Sequence, residues 1–341
     1  MDDWKKLLTA QGAQFGGDDV ISFGESAADY VALTNTVSQL SHLGLLSAQG
    51  PESGKFLQGQ CTCDFSSLER GSALSGAICN PKGRMLTSFR ACQIQEDLLL
   101  LSMDRQLVHP TLHVLEKYAA FFKTELADSS DKYRQLGISG PQAKSLLKTI
   151  FPDVPGPNCS AFDGFGNLLY CLTDDLYMVI TATAESVQLW QKLSLKFQPT
   201  GQSWWQLRLI LAGLASVNLK LSEQLVPQML NFQAIGAISF SKGCYTGQEV
   251  VARMEYLGKL KRRTYLIKAD STKLPKSGAE IAMPENSKAV GTVIQAALED
   301  ENHLAILAVL REAALEQSEL IIDGNKVPIK FAKLPYEIPI Q

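Results

Sequence analysis

Residues 240–253, FSKGCYTGQEVVAR, set one thiol, Cys244, two positions after a lysine and between glycines 243 and 247. Thiolate is the reactive form of cysteine, and a nearby cation or a row of backbone N–H groups favours it. Lys242 is the candidate cation, while Gly243 and Gly247 allow backbone turns that expose a side chain. Against this stands the commoner fate of a free cysteine, buried and inert as a small hydrophobe. Cys61 and Cys63 form a C-x-C pair in QGQCTCDF. No second pair at ligand spacing completes a metal site, so strand cysteines are expected there. His109 and His113 lie four apart without the acidic residue of an H-E-x-x-H zinc motif, and read as surface or packing histidines. Trp204-Trp205 either stacks on a flat ligand or fills a core. Residues 250–275 hold seven Lys or Arg against Glu255 and Asp270, a local excess that suits phosphate, a polyglutamate tail or simply a solvated strand face. No Walker loop, dinucleotide fingerprint or Ser-His-Asp constellation is present.

These residues must be positioned by elements of changing period. Residues 1–20 are polar and glycine-containing, and read as a loosely packed lead-in. QEDLLLLSMD (95–104) suits a buried strand, and PTLHVLEKYAAFF (110–122) a helix with Pro110 in its first turn. From Tyr133 a strand (135–140), a helix (141–151), two strands (167–172 and 176–181) and a helix (185–197) make most of a split β-α-β unit. Alternation of Trp205, Leu207, Leu209 and Leu211 predicts a strand over 203–213, with helix as the alternative. Beyond 257, short runs at 263–269, 289–297, 303–310, 319–323 and 326–332 predict a small antiparallel barrel or sandwich.

The chain of 341 residues, 45% hydrophobic and 20% charged with net charge -3, is of ordinary globular composition and long enough for two or three domains. The segment MDDWKKLLTAQGAQ lacks the apolar region of a signal peptide, and charges interrupt every apolar run before membrane-spanning length. Seven scattered cysteines read as reduced thiols, and a cytoplasmic location is expected.

As a string, KGCYTGQE (242–249) resembles the signature of the YgfZ family of folate-binding proteins, relatives of the glycine-cleavage T-protein and of a mitochondrial iron–sulfur assembly factor. VPQMLNFQAIGAISFS (226–241), KFLQGQCTCD (55–64) and CNPKGRM (79–85) extend the resemblance, as do Gly291-Thr292-Val293 and Leu334-Pro335-Tyr336. It implies an α+β fold, a three-domain T-protein-like ring around a channel. Its parts would be a discontinuous folate-binding domain (21–131 plus 203–256), a ferredoxin-like middle domain (132–202) and a C-terminal antiparallel β-barrel (257–341).

The resemblance further implies tetrahydrofolate or another folate as cofactor, and iron–sulfur enzymes, including those that thiolate tRNA, as clients. Cys244 inherits the functional thiol, with Lys242 beside it, and Trp205 falls where the family has a tryptophan touching the folate. Tyr245, Gln248 and Arg253 are further candidates for the folate site. Departures are specific. Leu43 stands where the family has a second tryptophan, and Leu211 where the T-protein has a glutamate that accepts from the pterin's N–H donors, which leucine cannot do. Thr87-Ser88 replaces the T-protein's transfer aspartate. The expected function is therefore a folate-binding accessory role in the assembly or repair of iron–sulfur enzymes. A tetrahydrofolate-dependent aminomethyltransferase or a tRNA-binding module using residues 250–275 are the alternatives.

Overall fold

A computed structural model describes residues 3–163, 165–256, 258, 260–285 and 288–338. The chain divides into two compact units. One comprises Met1–Phe56, Phe65–Leu74 and Arg90–Trp205, the other Leu57–Asp64, Ser75–Phe89 and Gln206–Gln341. The expected middle domain (132–202) lies wholly within the first, and residues 257–341 within the second.

In the first unit a six-stranded sheet runs in the order Ser160–Phe162, Leu168–Thr173, Leu176–Ala182, Tyr133–Ser139, Thr36–Gln39, Gln198–Thr200. The two strands beside the Thr173-Asp174-Asp175 turn pair antiparallel as a hairpin, as their apolar runs predict. Thr36–Gln39 is recruited from far upstream: it pairs antiparallel with Tyr133–Ser139 and parallel with Gln198–Thr200. Two helices, Asp3–Ala10 and Ser186–Ser194, place Trp4, Leu8, Leu189, Trp190 and Leu193 in the core over this sheet. Trp4 and Trp190 meet edge to face at 5.5 Å. The N-terminal segment is thus no loose lead-in. Its apolar residues recur one turn apart, at 4 and 8, and bury one face while its lysines point to solvent.

The same unit holds an antiparallel run of Arg90–Gln95, Leu98–Asp104, Leu43–Gln49 and Glu125–Asp128. Asp104 ends its strand and caps the helix Arg105–Ala119, accepting from the Gln106 amide at 2.9 Å. The cap starts this helix five residues before Pro110, which therefore lies inside it rather than in its first turn. His109 and His113 are exposed on its outer face.

In the second unit six strands close a barrel in the order Arg262–Asp270, His303–Arg311, Ala289–Leu298, Glu280–Ala282, Glu319–Ile322, Asn325–Ala332, every pair antiparallel. Period-2 alternation sends Ile267, Ala269, Val293, Leu304, Ile306, Ala308 and Leu310 into its interior. Glu280–Ala282 escaped the sequence reading because three residues carry too little alternation to register. Tyr336 closes the chain back on this unit, its hydroxyl donating to Gly213 O at 2.9 Å.

The segment expected as a strand at 203–213 is instead the helix Gln202–Leu211. Trp204, Trp205, Leu207, Leu209 and Ile210 are all buried. A segment buried nearly all round satisfies either period, so alternation could not decide it.

Candidate functional site

The loop that presents Cys244 is stitched to the turn after the helix Ser53–Gln58, both within the second unit. Thr62 is the hub: its hydroxyl donates to Ala237 O at 2.7 Å and accepts from the Ala77 amide at 2.9 Å. Its carbonyl accepts from Ser239 N at 2.9 Å, and Thr246 N donates to Gly59 O at 3.3 Å. Between these stitches the Lys242 ammonium enters the turn and donates to the carbonyls of Gln58, Cys61 and Cys63, each at 2.7 Å. An ammonium has three donors and a neutral amine two, so this arrangement requires the charged form. Burial pulls the Lys242 pKa below its ordinary value, and the Cys61, Cys63 and Asp64 side chains act against that shift. The ammonium also sits 5.1 Å above the Tyr245 ring. All three of its donors are committed to carbonyls, so what Lys242 gives Cys244 is a fixed loop.

Cys244 and Gly243 stand exposed at the crown of that loop, and Tyr245 turns back into the protein, 7% exposed. Gly247 has φ 83°, and a Cβ there would come within 2.5 Å of Asn80 O, so glycine is required where the loop turns. The helix Gln248–Tyr256 follows, with Gln248 half-buried at its start and Arg253 exposed near its end. Five sequence candidates (Lys242, Cys244, Tyr245, Gln248 and Arg253) are therefore neighbours along one loop and helix.

Of the seven cysteines, Cys159 and Cys244 are exposed. Burial pushes the Cys63, Cys79 and Cys92 thiols up to about 12, Cys171 to about 11 and Cys61 well above its ordinary value, holding them protonated and inert. Cys61 and Cys63 occupy a turn, not a strand; Cys61 makes only an isolated bridge to Ile78. Among the described residues no group of His, Cys, Asp or Glu is arranged to hold a metal ion.

Trp205 belongs to the first unit. It is 1% exposed, and its indole lies flat against Gly137, where a Cβ would meet the ring at 2.6 Å. Around it gathers a polar cluster that sequence reasoning missed. Gln202 lies one helical turn before Trp205, and its side chain acts on His42. His42 Nδ1, Gln202 Oε1 and Trp205 Nε1 are buried without a well-formed hydrogen bond among the described residues, the Gln202 side chain lying near enough to His42 to act on its charge. Buried polar atoms without partners are rare and mark a place built for a polar guest or water. His42 and Gln202 stand in segments of mixed polarity, so no local pattern pointed to them. Leu43 opens the strand after His42.

Desolvation drives the His42 pKa down from 6.5 to about 4, only partly opposed by the Asp19 charge and the Gln202 side chain. The folded state then refuses a proton that the unfolded chain accepts. Stability from this residue is whole above about pH 6.5 and falls as pH drops toward about 4, with a slope of at most ~1.4 kcal/mol per pH unit. His42→Gln is expected to flatten the pH dependence of the unfolding free energy across that window; equal slopes in both proteins would refute the assignment.

A family model described as the GCVT N-terminal domain matches residues 18–161. The tRNA-modifying protein YgfZ of Enterobacter sp. (strain 638) is 31% identical over 307 residues, spanning 89% of this chain and 94% of the relative. That of Yersinia enterocolitica serotype O:8 is 32% identical over 308 residues, spanning 89% and 93%. The glycine cleavage system aminomethyltransferase T from Bartonella henselae superposes with a TM-score of 0.76 at 15% identity, covering 97% of this chain and 96% of that one, which establishes a common fold.

Proposed function

The chain belongs to the YgfZ family, and from that premise we propose that it is a cytoplasmic, folate-binding accessory protein of tRNA modification that sustains iron–sulfur client enzymes through the Cys244 thiol. The observation that carries this reading is the exposed Cys244 on a loop pinned by three Lys242 hydrogen bonds. Five other thiols are buried and protonated, so Cys244 is a sulfur that a partner can reach from a rigid base. Cys159 is also exposed but sits at an isolated bridge to Ser72, without such an anchor.

The unpartnered atoms around Trp205 fit a pterin. Gln202 Oε1 would accept from an amidine-like N–H donor, Trp205 Nε1 would donate, and His42 Nδ1 would complete the set. Bound folate would supply one-carbon chemistry. What the chain's own residues do is bind and orient. Trp205 as it stands presents no open ring face, so its part is read as the Nε1 donor rather than a stacking platform. With Thr87-Ser88 where the T-protein carries its aspartate, both side chains buried, no acid or base is expected there for methylene transfer.

A tetrahydrofolate titration followed by tryptophan fluorescence tests the folate part. Saturable quenching is expected for the wild type and a weakened affinity for Trp205→Phe, which keeps a smaller aromatic ring and removes the donor. Quenching that never saturates would remove folate from the reading.

A further inference from the structure

We propose that the second unit carries a docking surface for single-stranded RNA, built from an aromatic pair at the end of the helix Gln248–Tyr256 and an arginine pair at the start of the barrel. Tyr256 is 69% exposed, and its ring meets Phe240 edge to face at 6.0 Å. Leaving this much aromatic surface in water has no structural use here; it offers an edge-fixed ring on which an unpaired base can stack. Arg253, one turn earlier on the helix, is exposed and makes no ion pair among the described residues.

The barrel begins six positions beyond Tyr256, so at most about 22 Å of chain separates the two. There Arg262 lies directly opposite Arg311 in the antiparallel register. Directly opposed residues have Cβ atoms only ~5 Å apart, and like charges so placed repel. No acidic side chain pairs with either arginine among the described residues. On the same outer face, six residues along, Lys268 is opposite Lys330; Lys268 is neutralised by Glu299, and Lys330 is exposed. Lys261 adds an exposed cation beside Arg262. The interior face of the same strand is apolar, with Ile267 and Ala269 in the barrel core. One pair of cations, Arg262 and Arg311, is thus held unfavourably, with Lys261 beside it, an arrangement that a polyanion relieves. Phosphates answer the arginines, and the exposed Tyr256 ring, braced by half-buried Phe240, selects for bases free of a duplex stack, which a polyglutamate chain or a paired helix does not supply. This surface does not depend on folate or on Cys244, so its test succeeds or fails apart from the reading above.

The experiment is fluorescence anisotropy of the full-length protein with a labelled RNA hairpin bearing a single-stranded loop, and with a fully paired RNA duplex, over a range of KCl concentrations. The wild type is expected to bind the hairpin at low salt and to prefer it over the duplex. Arg262→Ala with Arg311→Ala should reduce the slope of log Kd against log salt by about 1 for each phosphate contact removed, whereas lysine at both positions should keep it. Tyr256→Ala should weaken hairpin binding on the order of tenfold with the slope unchanged, and Tyr256→Phe should restore it. All these positions are exposed or half-buried, and matching thermal melts check that each variant is folded. No binding at low salt, equal affinity for hairpin and duplex, or indifference to both the arginine and Tyr256 changes would overturn the proposal.

Discussion

Replacing Lys242 with methionine is expected to lower the unfolding free energy by about 3–5 kcal/mol. Methionine matches the length of the lysine stem and offers no donor, so the Gln58, Cys61 and Cys63 carbonyls each lose a charge-assisted bond of 2.7 Å. Net values of ~1.5–3 kcal/mol per such bond do not simply add, because the turn relaxes and admits water once the first is lost. Arginine should not rescue the site. Its planar fork cannot reproduce the three divergent donors of an ammonium, and its bulk exceeds the space inside the turn. The check is a denaturant midpoint at unchanged m-value, together with faster hydrogen exchange at the Ser239 and Thr246 amides, which bond across the same turn. A Lys242→Met protein unfolding at the wild-type midpoint would show that the three bonds are not a structural clamp.

Cys244→Ser is expected to do the reverse: leave stability within about 0.5 kcal/mol of wild type, because the side chain is exposed, and abolish function. A serine hydroxyl remains protonated where a thiol ionises appreciably, so the exposed position keeps its shape and loses its nucleophile. Function is read as the level of thiolated nucleosides in tRNA of a strain lacking its own copy, restored by the wild type and not by Cys244→Ser. Cys159→Ser, the other exposed cysteine, should restore fully. Restoration by Cys244→Ser would detach the sulfur from the role proposed for it. The pair of variants separates two contributions that neighbouring residues make: Lys242 through folding, Cys244 through chemistry.

Several elements were legible in the sequence because their signal is local. The hairpin Leu168–Thr173/Leu176–Ala182 announces itself by two apolar runs and a polar turn. Five of the six barrel strands follow from period-2 alternation between Gly, Pro, Asp or Asn. The string KGCYTGQE marked Cys244 through its resemblance, while its local chemistry favoured the inert reading. Where burial surrounds an element, the same reasoning failed: the helix Gln202–Leu211 reads equally as a strand, since Trp205, Leu207, Leu209 and Leu211 alternate while Trp204 and Ile210 fill the positions between.

The sequence by itself determined the alternating barrel, the hairpin and the identity of the thiol at the centre of the motif. Only the tertiary structure decided what the residues around that thiol do. Lys242 meets carbonyls about 180 positions upstream; Thr36–Gln39 joins a sheet built from residues beyond 132; His42 and Gln202 come together from segments some 160 residues apart. The physical reason is that side-chain period is written in neighbouring residues, whereas the partners of a buried donor or acceptor are chosen by how distant segments pack.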